Sequence, residues 1–300
     1  MGAVVGVGAT AVSAALGSVL QEARVEAATM PAVAMPEFLR NLRLSMDRLI
    51  NFSKVKYNDM LLEICANSLE SALNAQSAGA DRIELCAELG AGGITPSAGT
   101  LKLAKQRLDI PVHVLIRPRS GHFTYSGPEF EVMQADILAC RELGLQGIVS
   151  GVLREDFSLD LERTKALVEL AAPMHFTFHR AFDWVRDPLR ALEQLEGIGV
   201  STVLTSGGRA TALEGLENLG LWQKRTGMVL MAGGGVRKEQ VGQFREIGLR
   251  AVHSSGTVFS KTLDLSGKLP MNSPAHGVED RVGTTDPRMV RELAGAVKIS

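Results

Sequence analysis

From residue 60 onward, short runs of Ile, Val, Leu and Phe alternate with amphipathic stretches of helical length, and this order restricts the fold more than any other feature of the chain. Strands are expected at 61–65, 82–86, 111–117, 147–151, 174–179, 202–206, 228–232 and 251–254. Helices are expected at about 68–78, 97–107, 129–143, 160–171, 187–197, 210–224, 237–246 and, after a long loop, 287–297. Strands that are each answered by a helix build a parallel sheet. Eight such units favour closure into a (β/α)8 TIM barrel over an open doubly wound sheet.

Side chains alternate between the two faces of a strand, so parity assigns them. Leu62 and Ile64 oppose Glu63 and Cys65, and Ile83 and Leu85 oppose Glu84 and Cys86. Val112, Val114 and Ile116 oppose His113, Leu115 and Arg117, and Phe176 and Phe178 oppose His175, Thr177 and His179. Helices cover the outside of a barrel, which sends the apolar set outward and the polar set into the lumen. A structural lumen is usually filled with branched aliphatic side chains, and buried charges cost several kcal/mol each unless paired. Arg117, with Arg119, is the expected counter-charge for Glu63 and Glu84 if the network is structural. If it is functional, its place is the carboxyl ends of the strands, where Cys65, Cys86, Arg117 and His179 all sit.

Cys65 and Cys86 each follow a same-face glutamate by two residues on neighbouring strands. Strands ~4.8 Å apart bring their sulfurs within bridging reach, and two thiolates make a soft site suited to Cu(I). Spacing alone favours the plainer alternative of two buried small apolar side chains. His179, followed by Arg180 and Asp183, is a candidate base, acid or ligand, or else a hydrogen-bonded core histidine. Gly233, Gly234 and Gly235 follow the seventh strand, and Ser254 and Ser255 end the eighth. Loops in those two places commonly hold phosphate in this fold, although glycines also simply permit turns. None of the expected strands contains a lysine, so a Schiff-base aldolase lacks its nucleophile.

Residues 1–59 read differently. The stretch to Gln21 is uncharged and rich in Ala, Gly and Val, without the basic residues that open a secretory signal and too glycine-rich for a membrane span. Gly6, Gly8 and Ala11 match a dinucleotide fingerprint, but no βα unit surrounds them. Phe38, Leu42, Met46, Leu49 and Ile50 recur at helical spacing, which predicts an amphipathic helix at 36–52. The expected organisation is an N-terminal extension, 1–59, disordered apart from that helix, before a barrel domain at 60–300. Organelle targeting is the weaker reading of the extension, because its four acidic residues before Asn51 suit a transit peptide poorly.

The 32 basic and 33 acidic residues leave a net charge of -1, which argues against a nucleic-acid partner, and nothing calls for a membrane. Three cysteines without CxxC spacing fit a reducing, cytoplasmic setting rather than a disulfide scaffold.

At these residues the chain resembles the CutC copper-homeostasis family. The matching words are EIC at 63–65, GADRIELC at 79–86, GGITPS at 92–97, IPVHVLIRPR at 110–119, TFHRAFD at 177–183, LTSGG at 204–208, MAGGGVR at 231–237 and VHSS at 252–255. The resemblance implies a TIM barrel that assembles as a homo-oligomer, a dimer or tetramer, and handles Cu(I) in the cytoplasm. It also implies that Cys65 and Cys86 are the metal ligands. Ser120 and His122 stand in RPRSGHF where the family commonly has a glycine and an aspartate, so no role of that carboxylate carries over. The other expectation is an enzyme, a lyase or isomerase-like site acting on a small, phosphorylated or otherwise anionic ligand. There Arg117 clamps the substrate, Glu63, Glu84 or His179 moves protons, and Gly233 to Gly235 with Ser254 and Ser255 hold phosphate.

Overall fold

The computed structural model describes residues 60–271 and 279–298, and the helix expected at 36–52 lies outside them. Eight strands close into one parallel barrel in chain order: β1 (Leu61–Ala66), β2 (Arg82–Leu85), β3 (Val112–Leu115), β4 (Gly147–Ser150), β5 (His175–Phe178), β6 (Thr202–Thr205), β7 (Val229–Ala232) and β8 (Ala251–Ser254). Closure comes from β8 returning to β1, with Leu61 opposite Ala251 and Glu63 opposite His253. This is the expected (β/α)8 TIM barrel.

The helices between and after the strands are α1 (Leu69–Ser77), α2 (Ala98–Arg107), α3 (Gly127–Glu142), α4 (Leu161–Ala171), α5 (Pro188–Gly197), α6 (Leu216–Gln223), α7 (Val241–Glu246) and α8 (Pro287–Val297). Their starts are written in the sequence as side-chain caps. Ser68, Ser97, Asp160 and Asp187 each accept a hydrogen bond from a first-turn amide, and Ser126 with Glu129 forms a full capping box. Two helices are shorter than expected. The turn at Thr211, whose hydroxyl accepts from Glu214 N at 3.3 Å, delays α6 to Leu216. A 3-10 turn at Lys238–Gln240 takes the first residues allotted to α7. The long loop before α8 contains an unexpected antiparallel ribbon of β9 (Thr257–Thr262) and β10 (Arg281–Thr285). It is tied to the start of α1 by Asn67 Nδ2 to Gly283 O at 3.1 Å and Thr285 N to Ser71 Oγ at 3.1 Å.

The strand parity holds. Leu62, Ile64, Ile83, Leu85, Val112, Val114, Phe176 and Phe178 are buried with Met133, Ile137, Leu167 and Leu195 of the helices in one apolar layer. The lumen has two small apolar clusters of its own, Cys65 with Cys86, Leu115 and Val149, and Leu204 with Met231 and Ala251. The polar residues lie among them. No helix among the described residues is long and apolar enough to cross a membrane.

Candidate metal centre

Alternation along β1 and β2 places Glu63 and Cys65, and Arg82, Glu84 and Cys86, on the lumen side. Glu63 stands opposite Arg82 on one flank and opposite His253 on the other. Its fully buried carboxylate accepts from Arg82 Nε at 2.5 Å and from His253 Nδ1 at 2.8 Å. His253 Nε2 lies 3.4 Å from Glu84 Oε2. The counter-charge of the lumen is therefore Arg82, not Arg117 or Arg119. Arg119 instead pairs with Glu129 at 2.6 Å.

The network sets its own protonation. Burial opposes charge on Glu63, but Arg82 and His253 outweigh it and hold the carboxyl far below the ordinary range. Burial likewise opposes charge on His253, yet Glu84 and Glu63 raise its affinity for a proton. Burial, helped by the charge of Glu63, pushes the Glu84 carboxyl up despite the His253 ring beside it.

Above this network the two thiols meet, with Cys65 Sγ and Cys86 Sγ 3.6 Å apart and both residues buried. They are not level: Cys65 stands opposite Glu84, one pleat short of Cys86, and the barrel stagger brings the sulfurs together diagonally. Gly93 caps Cys86, because a Cβ there would sit 2.7 Å from Leu115 Cδ2 and 3.4 Å from Cys86 Cβ, on a backbone at φ +81. The hydrogen bond with Cys86, then burial, then the charge of Glu84 raise the Cys65 thiol well above its usual range, so a metal must displace its proton. For metal–sulfur bonds of about 2.3 Å, a 3.6 Å sulfur spacing corresponds to a bent bite of roughly 100°, whereas a linear pair needs about 4.6 Å. The donor set fits a soft ion. Cys140 is remote from this chemistry, buried in the outer apolar layer with its thiol pushed up to about 12 by burial.

Arg117 and His179 form a second group, around Phe123. Arg117 spends its terminal nitrogens on backbone carbonyls, those of Ala91 (3.1 Å), Gly93 (2.7 Å) and Gly121 (2.6 Å), and its guanidinium lies 5.2 Å from the Phe123 ring centre. The His179 ring is 4.8 Å from the same aromatic ring and accepts from Ala181 N through Nδ1, which leaves the hydrogen on Nε2. Burial, then Arg117, lowers the pKa of His179 to about 3. Arg117 Nε and His179 Nε2 are both buried without a partner. Gly151, the residue after β4, makes room for this: a Cβ there would fall 2.7 Å from His179 Nδ1.

The glycine and serine loops are only partly engaged. Gly233 N donates to Thr205 O at 3.0 Å, and Ser254 Oγ lies 3.4 Å from Val236 O. Ser255 Oγ accepts from Thr257 N at 3.3 Å. Gly234 and Gly235 both adopt positive φ, and the Arg180 guanidinium lies against Gly234. Asp183, which the sequence leaves without a definite role, accepts from Thr205 Oγ1, Ser206 N, Gly208 N and Arg180 Nε, and so shapes the loop after β6. Sequence reasoning missed Arg82 and His253 as site residues. Arg82 shares the parity of Glu84, and His253 lies in an expected strand, so both signals were present.

The CutC family profile matches residues 60–258. A solved structure assigned to copper homeostasis, CutC from Streptococcus agalactiae, is 32% identical, covers 65% of this chain and 98% of its own, and has a TM-score of 0.63. Thiamine phosphate pyrophosphorylase from Pyrococcus furiosus is 16% identical over 80% of this chain and 96% of its own, with a TM-score of 0.49, a likeness that speaks to no function. With the barrel, the ordered motif words and the profile match in agreement, the chain belongs to the CutC family.

Proposed function

We propose that the protein serves copper homeostasis in the cytoplasm, binding Cu(I) through Cys65 and Cys86 as a homo-oligomer, with residues 1–59 an extension outside the binding unit. The observation that carries this reading is the buried pair of sulfurs 3.6 Å apart at the carboxyl ends of β1 and β2. Soft thiolates discriminate for Cu(I), and family membership together with the copper assignment of the Streptococcus agalactiae protein supports that choice. A ligand that binds only the folded state raises its melting temperature. Cu(I) is therefore expected to raise the Tm of the full chain more than Ca(II) or Mg(II) does. An unchanged Tm at saturating Cu(I) argues against the reading.

One observation favours a second reading, a lyase or isomerase-like site for a small anion: the unpartnered Arg117 Nε and His179 Nε2, two buried donors that an acceptor would satisfy. In that reading Arg117 orients the ligand, His179, Glu63 or Glu84 moves protons, and Gly233 to Gly235 with Ser254 and Ser255 hold a phosphate. Stabilisation by phosphorylated metabolites, absent with Cu(I), selects it.

A further inference from the structure

Cys65 belongs to two donor sets. One is the thiol pair. In the other, Cys65 Sγ, a carboxylate oxygen of Glu84 and a ring nitrogen of His253 all lie within 4.8 Å of one another, and Cys86 is not a member. The surroundings of His253 are those of a metal ligand. Its Nδ1 is held by Glu63 at 2.8 Å, which leaves Nε2 turned to Glu84 at 3.4 Å. Glu63 is itself fixed through its other oxygen by Arg82. Metal-binding histidines almost always give their second nitrogen to a carboxylate, a backbone carbonyl or water, and a carboxylate here sets the tautomer and the ring orientation. A purely structural ion pair needs no third donor of sulfur type beside it.

We propose that Cys65, Glu84 and His253 bind a divalent ion of borderline softness, Zn(II) by its chemistry, with the Glu63–Arg82 pair as the outer support. One thiolate, one imidazole and one carboxylate suit Zn(II), and three protein donors leave the fourth tetrahedral position open for an exchangeable ligand. At bond lengths of about 2.0–2.3 Å, tetrahedral donors lie roughly 3.3–3.8 Å apart. Side-chain shifts of about 1 Å therefore close the set from its present spread. The inference rests on reading the lumen as a metal site and adds a second class of cargo to it. Because Cys65 is shared, Cu(I) on the thiol pair and a divalent ion on the triad exclude each other.

Co(II), a spectroscopic stand-in for Zn(II), tests this when titrated into the metal-free full chain. Tetrahedral d–d absorption with a thiolate-to-cobalt charge-transfer band is expected, and Zn(II) should displace it. Cys65→Ser should remove the charge-transfer band, while Cys86→Ser should keep the Co(II) spectrum and still weaken Cu(I). His253→Gln should weaken Co(II) by more than tenfold, and Glu63→Gln by about 10–100-fold through loss of outer support. If His253→Gln does not fold, Glu84→Gln, which leaves the Glu63–Arg82 pair intact, serves in its place. The triad is overturned if wild type gives no Co(II) band, if Cys86→Ser abolishes it, or if neither Glu84→Gln nor His253→Gln lowers affinity. If Cys86→Ser leaves Cu(I) affinity unchanged while the Co(II) results hold, the copper reading falls and the triad stands.

Discussion

Arg82→Met removes the cation that neutralises a carboxylate with no access to water. Glu63 is fully buried and Arg82 nearly so, and their contact is 2.5 Å. Stripping one member from such a pair leaves the other charge uncompensated, at a cost of about 3–5 kcal/mol. His253 still contacts Glu63 and keeps the loss from growing larger. Against a total stability of about 5–15 kcal/mol this is a large fraction, and for a domain of this size it corresponds to a fall of roughly 6–20 °C in Tm. Arg82→Met/Glu63→Leu removes both charges together and should recover most of the loss, since apolar replacement of a buried pair is often neutral. Urea denaturation of the wild type, the two single variants and the double variant at pH 7 gives the coupling energy. The parallel cycle with Arg117→Met is the control. Arg117 bonds to carbonyls of the loops after β2 and β3 and not to Glu63, so its loss should add to that of Glu63 within about 0.5 kcal/mol. A cost below about 1 kcal/mol for Arg82→Met, or an Arg117–Glu63 coupling as large as that of Arg82, would refute the assignment of Arg82 as counter-ion.

A chain beginning at Met60 is expected to melt as cooperatively as the full chain, because β1 to β8 all lie downstream of that residue; loss of the cooperative calorimetric transition would show that the extension contributes to the domain. His179 should make the protein acid-sensitive. Its pKa is about 3 in the folded state against an ordinary 6.5, so between those values the unfolded chain takes up a proton that the folded one refuses. This stability is fully present above pH 6.5 and declines toward pH 3, by at most about 1.4 kcal/mol per pH unit. Denaturation at pH 7 and pH 5 should show His179→Gln losing about 2 kcal/mol less than wild type between the two, and equal losses would contradict the buried neutral ring.

The barrel was legible because its strands carry a period of two and its helices carry side-chain caps, both of which are local properties. Lumen parity was legible for the same reason, and it put Glu63, Cys65, Glu84 and Cys86 on one side correctly. The choice of counter-ion was not. It depends on register across the closed barrel, where Glu63 lies level with both Arg82 and His253, and His253 is 190 residues away in sequence. Charge and strand-end position point to Arg117 if the network is structural, but Ala91, Gly93 and Gly121 offer it carbonyls closer to hand. The β9–β10 ribbon is not legible in the sequence, because its two halves are far apart and no short hairpin turn joins them. Cys65 and Cys86 were marked by motif rather than by spacing, and only the stagger of β1 against β2 gives their sulfur separation.

Competition for Cu(I) between the protein and a chromogenic Cu(I) chelator, for the wild type and Cys65→Ser/Cys86→Ser, reads out whether the facing sulfurs hold copper. Hydroxyls are poor ligands for a soft ion, so the double variant should bind Cu(I) at least about tenfold more weakly. Equal affinity in the two proteins would show that the thiol pair is packing and not a copper site.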